Sequence, residues 1–298
     1  MAMADVLTAV RELILVNSAL PAAFADRVEM LGNRFPGLTE QERADLASIP
    51  TARLQVYTRL VLNGEVAMLE WVYPMSMAAI RRLAGVPADQ RRTFDRDLIQ
   101  QMQRWRSWGS DSTRELAALF ADFVRSQRAY LVDRWRGLID LMAMEQAALT
   151  VFYAEDVAAS PFDGEALIGL SVGELMDQRI IVPPYVETHS LRYDVLRILD
   201  TWRDTGALPE DWPAPAGTLA ACGRNVDSLM PEWVRLDAAD HAALESAGHH
   251  ATTLETLAEA YVEAMPEADR TDEEALFKQF FTALARWCQA GIVLRPLD

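Results

Sequence analysis

The sequence predicts a mainly α, α+β protein, with an N-terminal helical domain followed by a winged-helix-like C-terminal domain. Apolar residues recur at three- and four-residue spacing through the first half of the chain, which is typical of amphipathic helices. A short β-branched run, Ile180-Ile181-Val182, and other strand candidates follow beyond residue 160. The chain has 298 residues, 51% of them hydrophobic, which is enough for two domains. We place these domains at residues 1–160 and 161–298.

Helix starts are predicted where a Ser or Thr side chain can accept a hydrogen bond from a free backbone N–H and a Glu three residues later can reach back. Four such pairs are interpreted as helix starts: Thr39 with Glu42, Ser112 with Glu115, Thr252 with Glu255, and Thr271 with Glu274.

Long helices are expected in the first half. Residues 54–73 form one helix that Pro74 ends, and residues 116–124 and 138–152 form a packed pair. The first of these helices has the apolar residues Tyr57, Leu60, Val61, Val66, Met68 and Leu69.

Small residues with Gly and Pro dominate 158–173, which we interpret as a domain boundary. Beyond it, short strands are predicted at 179–183, 218–222, 233–236 and 292–294. Helices are predicted over 238–247, 254–264 and 272–289. Strands interleaved with three helices indicate the winged-helix-like module.

Charge is unevenly distributed. Residues 1–150 carry 18 acids and 18 arginines, whereas residues 151–298 carry 26 acids and 10 bases, so the second half supplies the whole net charge of −16. A diffuse acidic field disfavours nucleic acid, because phosphate binding needs clustered cations. It favours a basic partner or peptide.

The sequence offers few patterns typical of metal ligands or of catalytic nucleophiles. The four histidines are His189, His241, His249 and His250, and the last two are sequence neighbours whose side chains diverge, which disfavours a metal site. Cys222 lies on a predicted strand and Cys288 in an apolar helix, and a nucleophilic cysteine would need a base and an electropositive setting. Phosphate-binding glycine loops are missing. We therefore expect no catalytic residue, metal or cofactor in this chain.

Residues 81–136 are the most basic segment, with 12 arginines, 7 acids and several interleaved tryptophans. Such a mixture occurs in nucleic-acid sites and equally in protein interfaces anchored by Arg and Trp. We prefer the interface, because no nucleic-acid motif accompanies it. The candidate partner-interface residues are Arg104, Trp105, Trp108 and Trp135.

Four segments in order resemble the TglI/MbnC-type partner proteins of multinuclear iron enzymes. The run Leu54-Gln-Val-Tyr-Thr-Arg-Leu-Val61, followed by Tyr73-Pro74, is similar to that family's Tyr-Arg-x-Leu-Val helix. Residues 115–123 with 138–145 are similar to its glutamate-bearing helix pair. Residues 191–198 are similar to its Leu-Arg-Tyr-Pro-Val-x-Arg-Ile run, with Asp194 in place of the proline. The fourth segment spans 218–291 and ends in Trp287-Cys-x-x-Gly291. Chain length resembles TglI more than MbnC.

The resemblance implies a heterodimer with a TIM-barrel enzyme that holds two or three irons and uses dioxygen to remodel a peptide cysteine. The TglI-like reaction is oxidative excision of the β-carbon of a C-terminal cysteine, in the 3-thiaglutamate pathway. The MbnC-like reaction makes oxazolone and thioamide groups in a copper-binding peptide. The iron belongs to the partner subunit, and the C-terminal module resembles a precursor-recognition element that adds the leader peptide to a sheet edge.

The site expected from this resemblance is one of two predicted strands. Its candidate peptide-binding residues are Ile180, Ile181, Val182, Leu219, Ala220, Ala221, Cys222 and Arg224. A winged-helix transcription regulator and an independent enzyme using Cys222 or the histidines stay open as alternatives. The N-terminus has no signal-like segment and no run is long enough to span a bilayer, so we expect a cytoplasmic protein without a membrane partner.

Overall fold

The structure is a computed structural model of the chain. It describes residues 23–105, 112–162 and 170–297 and, before them, residues 6, 8–10 and 13. The chain is mainly helical with small sheets, which confirms the predicted class.

The first half is helical. Its elements are α1 Phe24–Arg34, α2 Glu40–Ala47, α3 Thr51–Val72, α4 Pro74–Leu83, a 3-10 turn at Ala88–Gln90, α5 Arg91–Trp105, α6 Thr113–Gln127, α7 Ala129–Arg134 and α8 Gly137–Phe152. The helices predicted at 54–73, 116–124 and 138–152 are therefore confirmed as α3, α6 and α8.

The second half mixes strands and helices. Its elements are β1 Ala159–Ser160, α9 Val172–Met176, β2 Arg179–Ile180, β3 Glu187–Tyr193, α10 Leu196–Thr205, β4 Pro215–Arg224, β5 Pro231–Leu236, α11 Ala238–Ala247, β6 Thr252–Thr253, α12 Leu254–Ala264, a 3-10 turn at Glu267–Thr271, α13 Glu273–Gln289 and β7 Arg295–Pro296. The three predicted helices are confirmed as α11, α12 and α13. Strand β3 was not predicted from the sequence.

The strands of the described residues form three antiparallel sheets. The largest has the order β3-β4-β5, while β1 pairs with β7 and β2 with β6. The segment after α13 joins the small sheets, because Ile181 forms a bridge with Leu294.

Two compact units divide the chain. Unit one comprises Met1–Trp71 and Gly85–Phe123, and unit two comprises Val72–Ala84 and Val124–Asp298. The sequence-based boundary at residue 160 lies inside unit two, where α8 packs on all three strands of the large sheet.

The other face of that sheet belongs to the main core of unit two. Ala221, Val234 and Leu236 pack there with the apolar faces of α11, α12 and α13, around the fully buried Trp287. Because one face lies against α8 and the other against this helical layer, β4 is buried on both sides, and Ala220, Ala221 and Cys222 are inaccessible to solvent.

Helix caps agree only in part with the sequence. Thr39 and Glu42 form the predicted capping box, and α6 begins one residue after Ser112. The other two predicted caps are displaced by one residue, since Thr253 caps α12 and Asp272 caps α13. At each helix the neighbouring side chain also fits the cap position, and the structure decides between them. Boxes at Ser171 and at Asp237 were missed.

Candidate peptide-binding edge

The β4–β5 hairpin shows which residues of the large sheet form hydrogen-bonded pairs with which neighbouring strand. The N–H of Asn225 donates to the carbonyl of Met230 (2.9 Å), in register with the β4–β5 pairing. Because hydrogen-bonded pairs alternate along an antiparallel ladder, β4 directs the backbone groups of residues 219, 221 and 223 toward β5 and those of 218, 220 and 222 toward β3.

The same alternation identifies the outward groups of both outer strands. On β3, residues 187, 189 and 191 face β4 through their register partners, so Thr188 and Ser190 point their N–H and C=O groups away from the sheet. On β5, the outward positions are 231, 233 and 235.

The two outer edges are not equally available. On β5, Pro231 has no N–H, and the guanidinium of Arg286 donates to the carbonyl of Arg235 (3.3 Å). On β3, the outward backbone groups of Thr188 and Ser190 have no hydrogen-bond partner among residues 23–105, 112–162 and 170–297. Their side chains are half-buried and exposed, respectively. The β3 edge is therefore the better template for an added strand.

The two segments that the sequence suggested as edges are paired on both sides, so that expectation is wrong. Arg179 and Ile180 pair with β6, while Ile181 exchanges backbone hydrogen bonds with Leu294 (2.8 and 2.9 Å). Val182 is buried.

The second segment is the central strand. Leu219, Ala220, Ala221 and Cys222 pair with both β3 and β5, and no backbone group of theirs faces an open edge. The pattern of small apolar residues shows a strand, but it does not show the position of that strand within its sheet.

Arg224 is the last residue of β4, and its contacts stabilise the fold. Its guanidinium donates to the carbonyls of Val151 (2.9 Å) and Ala154 (2.6 Å) at the end of α8. It also pairs with Asp156 at 2.6 Å and lies over the ring of Tyr185.

A cleft of about 360 Å³ adjoins the free edge of β3. It lies between the start of β3 and the C-terminal end of α11. Its lining residues are Val182, Val186, Glu187, Thr188, Leu244, Glu245, Gly248 and His249. Sequence reasoning missed this site because its two walls are about 60 residues apart and β3 was not recognised.

The histidines are dispersed around this region. His189 on β3 lies 5.3 Å from the ring of Trp233, and burial lowers its pKa although Glu187 acts in the opposite direction. His241 lies 3.5 Å from Glu245, and Nδ1 of His249 lies 3.4 Å from the carbonyl of Val182. In the part of the chain that the structure describes, no group of three or more His, Cys, Asp or Glu side chains could hold a metal ion.

Neither cysteine is set up as a nucleophile. Burial raises the pKa of the Cys222 thiol far above its usual range, and it raises that of Cys288 to about 12. Both thiols are therefore protonated near neutral pH, which gives no support to thiolate chemistry at these positions.

The tryptophan-rich segment splits between core and surface. Trp135 is only 5% exposed and stacks on Trp212 at 4.4 Å. The guanidinium of Arg82 lies over the ring of Trp212, 4.5 Å from its centroid. Trp135 is therefore a core residue, and the expectation that it anchors a partner is wrong. Arg104 is exposed and Trp105 is half-buried against Phe123. Trp108 lies outside the described residues.

An apolar surface stripe occurs instead on α3. The buried face of this helix carries Leu54, Leu62 and Leu69. Another face exposes the large side chains Tyr57 (52%), Leu60 (61%) and Val61 (38%) at three- and four-residue spacing, with Trp71 (50%) on the same face ten residues further along. The sequence identified most of these residues as apolar but could not tell the buried face from the exposed one.

The described helices include none with the length and hydropathy needed to cross a membrane. The sequence matches no protein-family model and no curated protein with which it was compared.

Proposed function

We propose that this chain is the non-catalytic, peptide-presenting subunit of a heterodimeric, multinuclear non-haem iron oxidative enzyme in ribosomal-peptide natural-product biosynthesis. It binds a short cysteine-bearing precursor or carrier peptide and presents the cysteine to a TIM-barrel partner of the TglH/MbnB type. The iron and its oxidative chemistry belong to that cytoplasmic partner. We favour β-carbon excision at a C-terminal cysteine over oxazolone and thioamide formation, because the TglI type is the preferred resemblance.

The observation that carries this proposal is the open edge of β3. An extended peptide can pair with the outward backbone groups of Thr188 and Ser190, so that main-chain hydrogen bonds supply affinity without any catalytic group. The sheet β3-β4-β5 is followed by the helices α11, α12 and α13, whose apolar faces pack on the side of the sheet opposite α8. The excess of acids in this half supports a peptide partner over nucleic acid.

Strand addition has a direct test with proline, which removes one N–H and is tolerated on an edge strand where that N–H faces solvent. Ser190→Pro blocks the β3 edge, and Arg235→Pro makes the same change at an outward position of β5. With a synthetic cysteine-bearing peptide of the precursor type as ligand, calorimetry should show affinity at least roughly tenfold weaker for Ser190→Pro. Arg235→Pro should bind like the wild type.

The melting temperature of each variant shows whether its fold persists. Equal affinity in a folded Ser190→Pro variant would contradict binding at β3, and selective loss in Arg235→Pro would assign the peptide to β5. Replacement of Ala221 by proline is not informative, because it breaks the central ladder.

The partner enzyme is proposed to contact the apolar stripe of α3, since contiguous exposed apolar side chains mark interaction surfaces. Coexpression with a TIM-barrel iron enzyme of the TglH/MbnB type should give a copurified complex. Leu60→Asp should abolish copurification, whereas Asn63→Asp adds the same charge to another face of α3 and should leave the complex intact. Separate elution of the two wild-type proteins with peptide present would contradict the heterodimer.

A further inference from the structure

We infer that the cleft beside β3 receives a long basic side chain, lysine or arginine, from the peptide. This inference rests on the proposed function, because it assigns the residue that a strand added to β3 would place opposite Thr188.

The position of a peptide residue along the edge of β3 determines whether its side chain enters the cleft. Thr188 points its backbone groups outward and also lines the cleft. Side chains of directly opposed residues in neighbouring strands lie on the same face of a sheet. A peptide residue paired with Thr188 therefore directs its side chain into this cleft.

The inner wall is apolar. Val182 and Val186 are each 3% exposed and form one side, and Leu244 of α11, also 3% exposed, forms the other. Such a wall fits the methylene stem of a long side chain. At about 360 Å³ the cleft has room for that stem and a hydrated head group.

The rim is acidic. Glu245 lines the cleft with a side chain 63% exposed, and the described lining includes no lysine or arginine. The ion-pair contact of Glu245 is with His241, at 3.5 Å. Glu187 also borders the cleft, but its carboxylate lies 3.7 Å from Nε2 of His189, on the opposite face of β3 from Thr188. A cationic head group at the rim would meet the Glu245 carboxylate, whereas a glutamate would be repelled and a leucine would add no charge to balance it.

A small probe can test the cleft without the whole peptide. N-acetyl-arginine N-methylamide is titrated into the full chain, and the methyl resonances of Val182, Val186 and Leu244 are followed by NMR. The leucine and glutamate analogues are the comparators. We expect saturable shifts at these methyl groups with the arginine probe, and binding weaker by roughly threefold in Glu245→Gln. Glu187→Gln should leave the affinity unchanged, because that carboxylate lies on the other face of β3.

Glu255→Gln is the matched control, since it removes one exposed carboxylate from α12 outside the cleft and should leave the affinity unchanged. Equal binding of the leucine analogue, equal loss in Glu255→Gln, or shifts confined to other regions would overturn the inference. The proline test reports on strand addition separately. Peptide binding that depends on Ser190 but not on Glu245 would leave the proposed function intact and contradict the assignment of a basic side chain to the cleft.

Discussion

Two glycines set how closely the end of β4 approaches the turn after α13. A Cβ on Gly291 would lie 1.9 Å from the carbonyl oxygen of Arg224, and one on Gly223 would lie 2.3 Å from the carbonyl oxygen of Ala290. Gly291 also has a φ of +65°, in the left-handed region. Backbone meets backbone at both points, so no side-chain rotation can relieve a substituted methyl group.

Gly291→Ala should therefore destabilise the protein by roughly 3 kcal/mol or more, from the left-handed backbone and the clash together. Gly206→Ala is the control, because Gly206 has a similar φ of +67° but a Cβ added to it would meet no atom within 4 Å. It should cost about 1–2 kcal/mol. Urea denaturation of both variants measures the difference, and equal losses would mean that the contact with Arg224 relaxes freely.

Arg224 should act through stability, not through peptide contact. Its side chain is 13% exposed and its guanidinium satisfies two carbonyls at the end of α8. Charge-assisted bonds of this kind predict a loss of roughly 2–3 kcal/mol in Arg224→Ala, measured by chemical denaturation. Asp156→Ala should cost under about 1 kcal/mol, because that carboxylate is 93% exposed. Weaker peptide binding by an Arg224→Ala variant of unchanged stability would restore the role first expected for it.

At the scale of elements, a buried glutamate joins α8 to α4. The two carboxyl oxygens of Glu145 accept the backbone N–H groups of Met75 (2.8 Å) and Ser76 (3.0 Å) in the first turn of α4. Pro74 occupies the start of that helix, so the cap satisfies the next two free donors. Burial raises the pKa of Glu145 to about 8, although the hydrogen bonds from Ser76 and Met75 lower it.

This pKa predicts how stability changes with pH. Because the carboxyl is harder to ionise in the folded state than in the unfolded chain, near 4.5, its contribution is fully present below pH 4.5. It declines as the pH rises and is lost through about pH 8. Glu145→Gln removes the titration and leaves one N–H poorly satisfied, which costs about 1–3 kcal/mol at pH 5.

Urea denaturation of wild type and Glu145→Gln at pH 5, 7 and 9 checks this prediction. The stability advantage of the wild type should shrink as the pH rises, while other titrating groups cancel in the difference. An advantage that stays constant over this range would contradict the raised pKa.

The helices could be predicted from the sequence better than the strands, for a physical reason. The apolar periodicity of α11, α12 and α13 is local, so their bounds followed from the sequence to within one residue, although the cap of α11 was missed and those of α12 and α13 were displaced by one residue. Strand β3 runs Glu-Thr-His-Ser-Leu-Arg-Tyr, in which only Leu191 and Tyr193 are strongly buried, so its alternation is weak. Pairing order is a long-range property, and neither the central position of β4 nor the cleft opposite Leu244 could be derived from local patterns.

At the scale of the whole molecule, the compact units do not follow chain order. Unit two includes 72–84 and 124–160 as well as the mixed C-terminal half. Helix α8 lies on the large sheet, its Asp140 accepts the N–H of Tyr193 at 2.8 Å, and Arg224 returns from the sheet to its C-terminal end. The composition change at 158–173 marks the start of the strands. The large sheet, however, packs on α8, which precedes that change in the sequence.

A fragment of residues 161–298 should therefore fail to fold cooperatively. Without α8 it would expose the sheet face that holds Ala220 and Cys222, and it would lose the carbonyl partners of Arg224. The fragment 72–298 retains both segments of unit two and should give a cooperative thermal transition by circular dichroism. Residues 161–298 should instead bind a hydrophobic dye and melt without a sharp midpoint. A cooperative melt of 161–298 would show that the sheet and the helices α11, α12 and α13 form an independent domain, as the boundary at residue 160 predicts.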